Sequence, residues 1–192
     1  MEILSLEKLT NEKWINLFAA QFRNNDHTGR WVFASRKPDP HAGLGRADAV
    51  IIVPTLVNPG GPPQLVLIRE FRIPVGGYVY GFPAGLLEPG ESVEDTARRE
   101  IAEETGMEVV KVKRVTAPLY SSSGLTDEAA AMAFVDVRST PGGKPRLDAS
   151  EELEVVLWDF ATVSRMCDAP DAGMDAKLWT VLFLCQQLGR LI

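Results

Sequence analysis

The feature that most constrains this chain is a group of acidic residues in a segment that favours a helix. Glu100, Glu103 and Glu104 lie close together in GLLEPGESVEDTARREIAEETGM, residues 85–107. An α-helix turns by about 100° per residue, so we expect the three carboxylates on one face. Like charges at that spacing repel one another unless a cation compensates them. Their hard oxygen ligands suit Mg²⁺ or Mn²⁺ better than zinc.

Local signals predict where this helix begins and ends. Ser92 is a good N-cap residue and Asp95 falls in the first turn. The helix should reach about Thr105, and Gly106 is a natural residue to follow it. Apolar residues supply a different face that can pack on a sheet.

Composition alone favours a simpler interpretation of the same glutamates. Glutamate-rich helices are commonly solvated faces held by pairs with nearby arginines, and Arg98 and Arg99 are available here. The spacing of the whole segment decides against this interpretation. Five residues separate Gly85 from Glu91, and seven separate Glu91 from Arg99.

The segment resembles the signature of the Nudix hydrolase family. The matching positions are Gly85, Glu91, Arg99, Glu100, Ile101, Glu103, Glu104 and Gly106, with Met107 in place of the final aliphatic residue. The resemblance implies an α/β fold, an α/β/α sandwich with a mixed β-sheet. It also implies that Glu100, Glu103 and Glu104 bind a divalent cation, and that Arg99 orients a carboxylate. Gly85 and Gly106 would allow tight loops at the two ends.

The residues before the signature are similar to the ADP-ribose pyrophosphatase branch of that family. By this similarity Arg72 would contact a substrate phosphate, and the backbone carbonyl of Ala84 would be a metal ligand. A surface ion pair between Arg72 and Glu70 is an equally open alternative.

The same branch implies a catalytic base on a loop before a late strand. Glu151 and Glu152 hold that position here, although a charged strand edge is the competing interpretation. One departure puts the preferred sugar in question, because Ser123 stands where the branch has proline in a Ser-Pro-Gly turn.

The rest of the chain predicts a small N-terminal β extension, residues 1–44, ahead of a Nudix domain, residues 45–192. Within residues 1–36, short strands are expected around a turn at Asn24–Asp26. Further strands are expected at 49–53 and 64–71, which would form a hairpin, and at 109–115, 129–137 and 153–158, with a helix after Asp175. Residues 81–90 are expected to be turn and loop. Trp31 and Phe33 are expected mainly in core packing. In relatives, aromatic residues of such an extension stack on the nucleobase, sometimes across a dimer, so Trp31 is also a substrate-binding candidate and a homodimer is expected.

Charge and cysteine content exclude several classes of protein. The net charge of −6 argues against broad binding to nucleic acid or anionic membranes. The cysteines, Cys167 and Cys185, are too few for a disulfide scaffold and have no zinc-site partners. The early charges of the N-terminus do not suit a signal peptide, so a cytoplasmic location is expected.

The sequence therefore predicts a Mg²⁺-dependent hydrolase, with Mn²⁺ able to substitute. Its substrate would be a small nucleoside diphosphate compound, ADP-ribose or another nucleotide sugar. A nucleoside triphosphate pyrophosphatase is the alternative enzyme. A ligand sensor without activity is disfavoured because all the signature carboxylates are present.

Overall fold

The computed structural model describes residues 1–42, 45–147, 152–169 and 173–192. The chain divides into two compact units. We call Met1–Asp48 with Ala117–Ala130 the N-terminal unit, and Ala49–Thr116 with Ala131–Ile192 the main unit.

The described residues form eleven strands and three α-helices, one of which continues into a π-helical turn. The strands are β1 Glu2–Lys8, β2 Asn16–Asn24, β3 His27–Ser35, β4 Ala49–Leu56, β5 Gln64–Arg72, β6 Gly77–Gly81, β7 Ala84–Leu86, β8 Met107–Val115, β9 Leu119–Tyr120, β10 Ala129–Ser139 and β11 Leu153–Trp158. The helices are α1 Val93–Glu100, followed by the π-helical turn Ile101–Thr105, then α2 Phe160–Cys167 and α3 Ala176–Leu188.

The N-terminal unit is built on an antiparallel sheet of order β1-β2-β3. Strands β2 and β3 meet in a tight turn, where Asn24 pairs with His27. Asn25 adopts a positive φ of 52°, which asparagine tolerates better than most residues. The turn predicted at Asn24–Asp26 is confirmed.

Residues from the middle of the chain complete the N-terminal unit. The backbone N–H of Ala34 donates to the carbonyl of Leu125 at 2.8 Å. The Lys37 ammonium lies 3.1 Å from Asp48 and 3.4 Å from Asp127. These contacts join β3 and the loop after it to the segment that carries β9.

The main unit contains most of a mixed eight-stranded sheet of order β11-β5-β4-β10-β8. Strands β6, β7 and β9 pair with β5, β4 and β10 respectively. Strands β4 and β10 run in the same direction, since the backbone N–H of Asp48 donates to the carbonyl of Ala129 and that of Val57 donates to the carbonyl of Val137. The neighbouring pairs β5–β11 and β8–β10 are antiparallel.

Both faces of this sheet are covered. Leu65, Val66, Leu67 and Ile68 are consecutive in β5, point alternately to opposite faces, and are all buried. On one face, Ala97 and Ile101 pack with sheet residues in the cluster Val50, Ile52, Leu56, Val66, Val109, Ala133, Val135 and Val137. Helix α2 contacts β11 and α3, and α3 contacts β6. The predicted α/β/α sandwich is confirmed.

The sequence prediction did not include β6, β7, β9 and α2, and the structure also differs from it in how β4 pairs. The β4–β5 hairpin pairs only at Thr55–Leu65 and Leu56–Gln64, after which β4 pairs with β7. Residues 84–86, which were expected to be loop, therefore form a strand, because they pair with β4. Helix α2 was not predicted, although Asp159 caps it by accepting from Thr162 N at 2.8 Å.

The C-terminal helix agrees with the prediction. Asp175 caps α3, and the side chains of Leu178, Val181, Leu182 and Cys185 are buried. Among the described residues, no helix has both the length and the apolar character needed to cross a membrane.

Candidate active site

The loop before α1 is fixed to the helix by a reciprocal cap. Ser92 Oγ accepts from Asp95 N at 3.1 Å, and the Asp95 carboxylate accepts from Ser92 in return. This capping box satisfies N–H groups that the first helical turn leaves open. The cap fixes the position of Glu91, directly before Ser92, at the start of the helix.

The end of the helix departs from regular α geometry. Residues 101–105 form a π-helical turn, and Thr105 Oγ1 donates to the Ile101 carbonyl at 2.5 Å. Such turns are rare and hydrogen bond from i to i+5, so each turn holds more residues. The spacing of 100° per residue that we expected for Glu103 and Glu104 is therefore wrong for this stretch. Glu104 is buried and Glu103 is partly exposed.

Arg99 is the centre of the charged network. Its Nε donates to Glu91 Oε1 at 3.0 Å, and its second nitrogen donates to Glu91 Oε2, also at 3.0 Å. The remaining guanidinium nitrogen lies 2.7 Å from Glu100 Oε1 and 3.2 Å from Glu103 Oε2. A bond of 3.1 Å to the Leu86 carbonyl ties the same arginine to β7. One planar fork thus orients three carboxylates.

These contacts change the pKa values of both partners. The hydrogen bonds from Arg99 lower the pKa of Glu91 to about 2, and Thr96 Oγ1 adds a further bond at 2.8 Å. The same pairing raises the pKa of Arg99. Both groups are therefore charged throughout the neutral pH range.

The two signature glycines have different roles. Gly106 has a φ of 68°, and a Cβ there would lie 2.6 Å from Lys144 N. Gly85 is not in the left-handed region, so the expectation that it serves a tight loop is wrong. It lies in β7 opposite Val50, and a Cβ would overlap the carboxylate of Glu100. Ala84, its neighbour, pairs with Ile51 in the same short strand.

The carboxylates of the signature glutamates are the kind of ligand that suits a hard divalent cation. Glu100, with 12% of its side chain exposed, and buried Glu104 place carboxylate oxygens where water is largely excluded. In the described part of the chain, no group of three or more His, Cys, Asp or Glu is arranged to hold a metal. Arg99 draws Glu100 and Glu103 to itself, so a cation would share these carboxylates with the guanidinium.

A second polar group lies at the adjoining ends of β5, β6 and β11. Arg72 is 2.5 Å from Glu70, which is the ion pair expected as the alternative to phosphate contact. Glu152, just before β11, accepts a hydrogen bond from the Tyr78 hydroxyl. Glu151 lies outside the described residues. The sequence did not single out Tyr78, because its only signal was alternation in a short run between glycines.

Trp31 belongs to the N-terminal unit and is 55% exposed, so the expectation of core packing is wrong for it. Its indole N–H donates to the Gly124 carbonyl at 3.1 Å. Phe33 does pack, with its ring 6.0 Å from that of Phe18. Both aromatic residues line a cavity of about 550 Å³ within this unit, together with Phe22 and Tyr120.

Known proteins resemble this chain over most of its length. The family model of the NUDIX domain matches residues 45–179. The chain is 32% identical over 166 residues to a putative nudix hydrolase 2 of Caenorhabditis elegans, covering 81% of this chain and 71% of the relative. It is 30% identical to an ADP-sugar pyrophosphatase of Mus musculus, covering 92% of this chain and 84% of that one.

A solved structure extends the likeness to three dimensions. The crystal structure of an ADP compounds hydrolase superposes with a TM-score of 0.70 at 26% identity, and the match covers 97% of this chain and 92% of that one. The family match spans the whole Arg99 network and both glycines. The chain belongs to the Nudix hydrolase family and is a hydrolase that acts on pyrophosphate bonds.

Proposed function

We propose that this Nudix hydrolase cleaves the pyrophosphate link of ADP-ribose or another nucleoside diphosphate sugar, with Mg²⁺ as its cofactor. The products are a nucleoside monophosphate and a sugar phosphate. The observation that carries the proposal is the arrangement of Arg99, Glu100 and Gly85, in which the arginine orients the Glu100 carboxylate and the absence of a side chain at Gly85 leaves room for it. The names of the mouse relative and of the solved structure favour an ADP-linked substrate.

The residues that would hold the cation are Glu100, Glu103 and Glu104, with the backbone carbonyl of Ala84. Nudix hydrolases generally use divalent metal ions, and Mn²⁺ would substitute here because it accepts the same oxygen ligands. When bound, the cation neutralises the charge of the pyrophosphate, which otherwise repels a nucleophile. Arg99 holds the carboxylates of Glu100 and Glu103 in place by hydrogen bonds to both.

The reaction consumes one water molecule. Its oxygen bonds to one phosphorus atom, and the bond from that phosphorus to the bridging oxygen breaks. The bridging oxygen leaves with the other phosphate, and a carboxylate accepts the proton of the water. We assign this role to Glu152, with Glu151 as the second candidate.

Arg72 would bind the substrate phosphate. Its side chain is 54% exposed, so solvent reaches the guanidinium although it is paired with Glu70. Ion pairs near the surface contribute little to stability, so Arg72 would lose little free energy if a substrate phosphate replaced Glu70 as its partner. A guanidinium is also suited to phosphate, because its planar fork can donate two parallel hydrogen bonds.

We further propose a cytoplasmic homodimer in which the N-terminal unit provides contacts to the nucleobase. The sheet β1-β2-β3 carries several exposed apolar side chains, and Trp31 is one of them. The others include Ile3, Leu4, Leu17 and Val32. Exposed apolar groups of this extent are typical of interaction surfaces.

The test is a substrate panel measured with Mg²⁺ and with a chelator. ADP-ribose, other nucleoside diphosphate sugars and nucleoside triphosphates are compared by kcat/KM, and the products are identified by chromatography. We expect the highest kcat/KM for an ADP-linked sugar, loss of turnover in chelator and recovery with Mg²⁺ or Mn²⁺. Preference for triphosphates, with release of pyrophosphate, would replace the substrate proposal. Full turnover in chelator would refute the metal requirement.

A further inference from the structure

Two contacts hold the ring of Tyr78 at the surface of the main unit. It lies on β6, opposite Phe71 of β5, and the two rings meet edge to face at 5.4 Å. The guanidinium of Arg69 lies over the face of the tyrosine ring, 4.2 Å from its centre. Arg69 is itself 3.7 Å from Glu154, the residue opposite it on β11. The orientation of the phenol is thus fixed by packing and charge before its hydroxyl is considered.

The hydroxyl of Tyr78 donates to Oε1 of Glu152, which lies 74 residues further along the chain. The backbone of Glu152 is also held, because its carbonyl accepts from Phe71 N at 3.4 Å. Strand β11 begins at the next residue, Leu153, which pairs with Glu70. Glu152 is therefore anchored at both its main chain and its carboxylate.

We propose that Tyr78 is a positioning residue, which orients the Glu152 carboxylate toward the water that attacks the pyrophosphate. The inference rests on the proposed function, in which Glu152 accepts the proton of that water. A carboxylate has two oxygens, so a bond to Oε1 leaves Oε2 to receive the proton. A fixed carboxylate loses less freedom in the reaction than one that rotates in solvent.

The protonation of Tyr78 agrees with this role. The hydrogen bond to Glu152 raises the pKa of the phenol, while Arg69 opposes the change. The phenol therefore remains a hydrogen-bond donor at neutral pH, because its pKa lies above the ordinary value near 10. The Tyr78 hydroxyl can therefore donate to Glu152 throughout the neutral pH range.

A purely structural role for Tyr78 makes a different prediction. The ring alone would then matter, through its contacts with Phe71 and Arg69. Tyr78→Phe keeps the ring and removes only the hydroxyl. Tyr80→Phe is the matched control on the same strand, because the Tyr80 ring packs on Trp158 at 5.0 Å and its hydroxyl has no hydrogen bond among the described residues.

The first experiment is a double-mutant cycle with Tyr78→Phe and Glu152→Gln, measured as kcat and KM on the best substrate of the panel. We expect kcat to fall about 10-fold in Tyr78→Phe with KM nearly unchanged, and by on the order of 10²-fold in Glu152→Gln. In the Glu152→Gln background, Tyr78→Phe should have no further effect. Tyr80→Phe should match the parent protein in both backgrounds.

The second experiment does not depend on activity. The chain has three tyrosines, so the ultraviolet titration of Tyr78→Phe subtracted from that of the parent gives the ionisation of Tyr78. We expect the pKa of Tyr78 to fall toward its ordinary value in Glu152→Gln and to stay raised in Tyr80→Phe. An unchanged pKa in Glu152→Gln would refute the contact.

Two kinetic outcomes would also overturn the proposal. Equal losses from Tyr78→Phe in both backgrounds would show that the tyrosine does not act through Glu152. Full activity of Glu152→Gln would remove Glu152 as the base, and the positioning role with it, while hydrolysis by the parent protein would leave the proposed function intact. A parent protein that hydrolyses no member of the panel would refute the proposed function itself, and the kinetic role of Tyr78 with it.

Discussion

The carboxylate of Glu100 fills the space that a side chain at Gly85 would occupy. A Cβ built on Gly85 would overlap Oε1, Cδ and Cγ of the glutamate. Strand β7 holds Gly85 by pairing it with Val50, and Arg99 holds Glu100 by a bond of 2.7 Å. A side chain added at Gly85 would therefore displace the end of the Glu100 side chain, because the backbone of Gly85 is held in β7.

Gly85→Ala should therefore impair activity more than stability. The added methyl group would push Glu100 out of its place, so we expect kcat to fall by on the order of 10-fold to 10²-fold, as when a major electrostatic group is displaced. The unfolding free energy should change by less than about 2 kcal/mol, because only one partly buried side chain must rotate. Steady-state kinetics and denaturant unfolding measure the two effects.

Gly81→Ala is the control for this substitution. Gly81 ends strand β6, and a Cβ there would have no neighbour within 4 Å. Its kcat should equal that of the parent protein. If kcat fell equally in Gly81→Ala and Gly85→Ala, the space that Gly85 leaves for Glu100 would have no special role.

Glu104→Gln should reduce kcat by at least about 10²-fold, because it removes a charge proposed to hold the metal while it keeps the size of the side chain. Glu104 is only 8% exposed, so glutamine will remain in the same place. Glu94→Gln changes an exposed residue of the same helix outside the signature, and it should be nearly silent. Equal kcat values for the two variants would contradict the assignment of Glu104.

Glu91 should make stability depend on acid pH. Its folded pKa of about 2 lies below the ordinary value of 4.5, because Arg99 bonds the charged form. A depressed carboxyl pKa stabilises the fold above the unfolded pKa, and this contribution disappears as pH falls through the folded pKa. Glu91→Gln should thus be less stable than the parent at neutral pH, and the difference should shrink between about pH 5 and pH 2.

Denaturant unfolding at a series of pH values measures this difference. Glu94→Gln serves again as the control, since its curve should run parallel to that of the parent protein. A gap between Glu91→Gln and the parent that stays constant through the acid range would argue against the ion pair with Arg99.

The N-terminal unit should be needed for dimerisation and for substrate affinity. Deletion of residues 1–36 removes the sheet β1-β2-β3, so we expect a monomer by light scattering and a raised KM. Trp31→Ala keeps the sheet, and it should raise KM if the indole contacts the nucleobase. A full-length protein that is monomeric at concentrations where it is active would refute the dimer.

The sequence by itself determined the elements whose signals are local. The helix that starts after Ser92 and ends at Gly106 follows from a capping box and a glycine with positive φ, both confined to a few residues. Strand β11 has the predicted bounds, and the Asn24–Asp26 turn joins the predicted strands. The fixed spacing from Gly85 to Gly106 was enough to indicate the family.

Only the tertiary structure decided the contacts between distant segments. Ala84–Leu86 form a strand because they pair with Ala49–Ile51 of β4. Strand β5 pairs with β4 only at its other end, at Thr55 and Leu56. The π-helical turn at Ile101–Thr105 changes the direction of the glutamates within a helix whose sequence fits regular α geometry. Tyr78 meets Glu152 across 74 residues because β5 pairs with both β6 and β11. A short window of sequence encodes backbone preference, whereas pairing partners and packing depend on which segments the whole fold brings together.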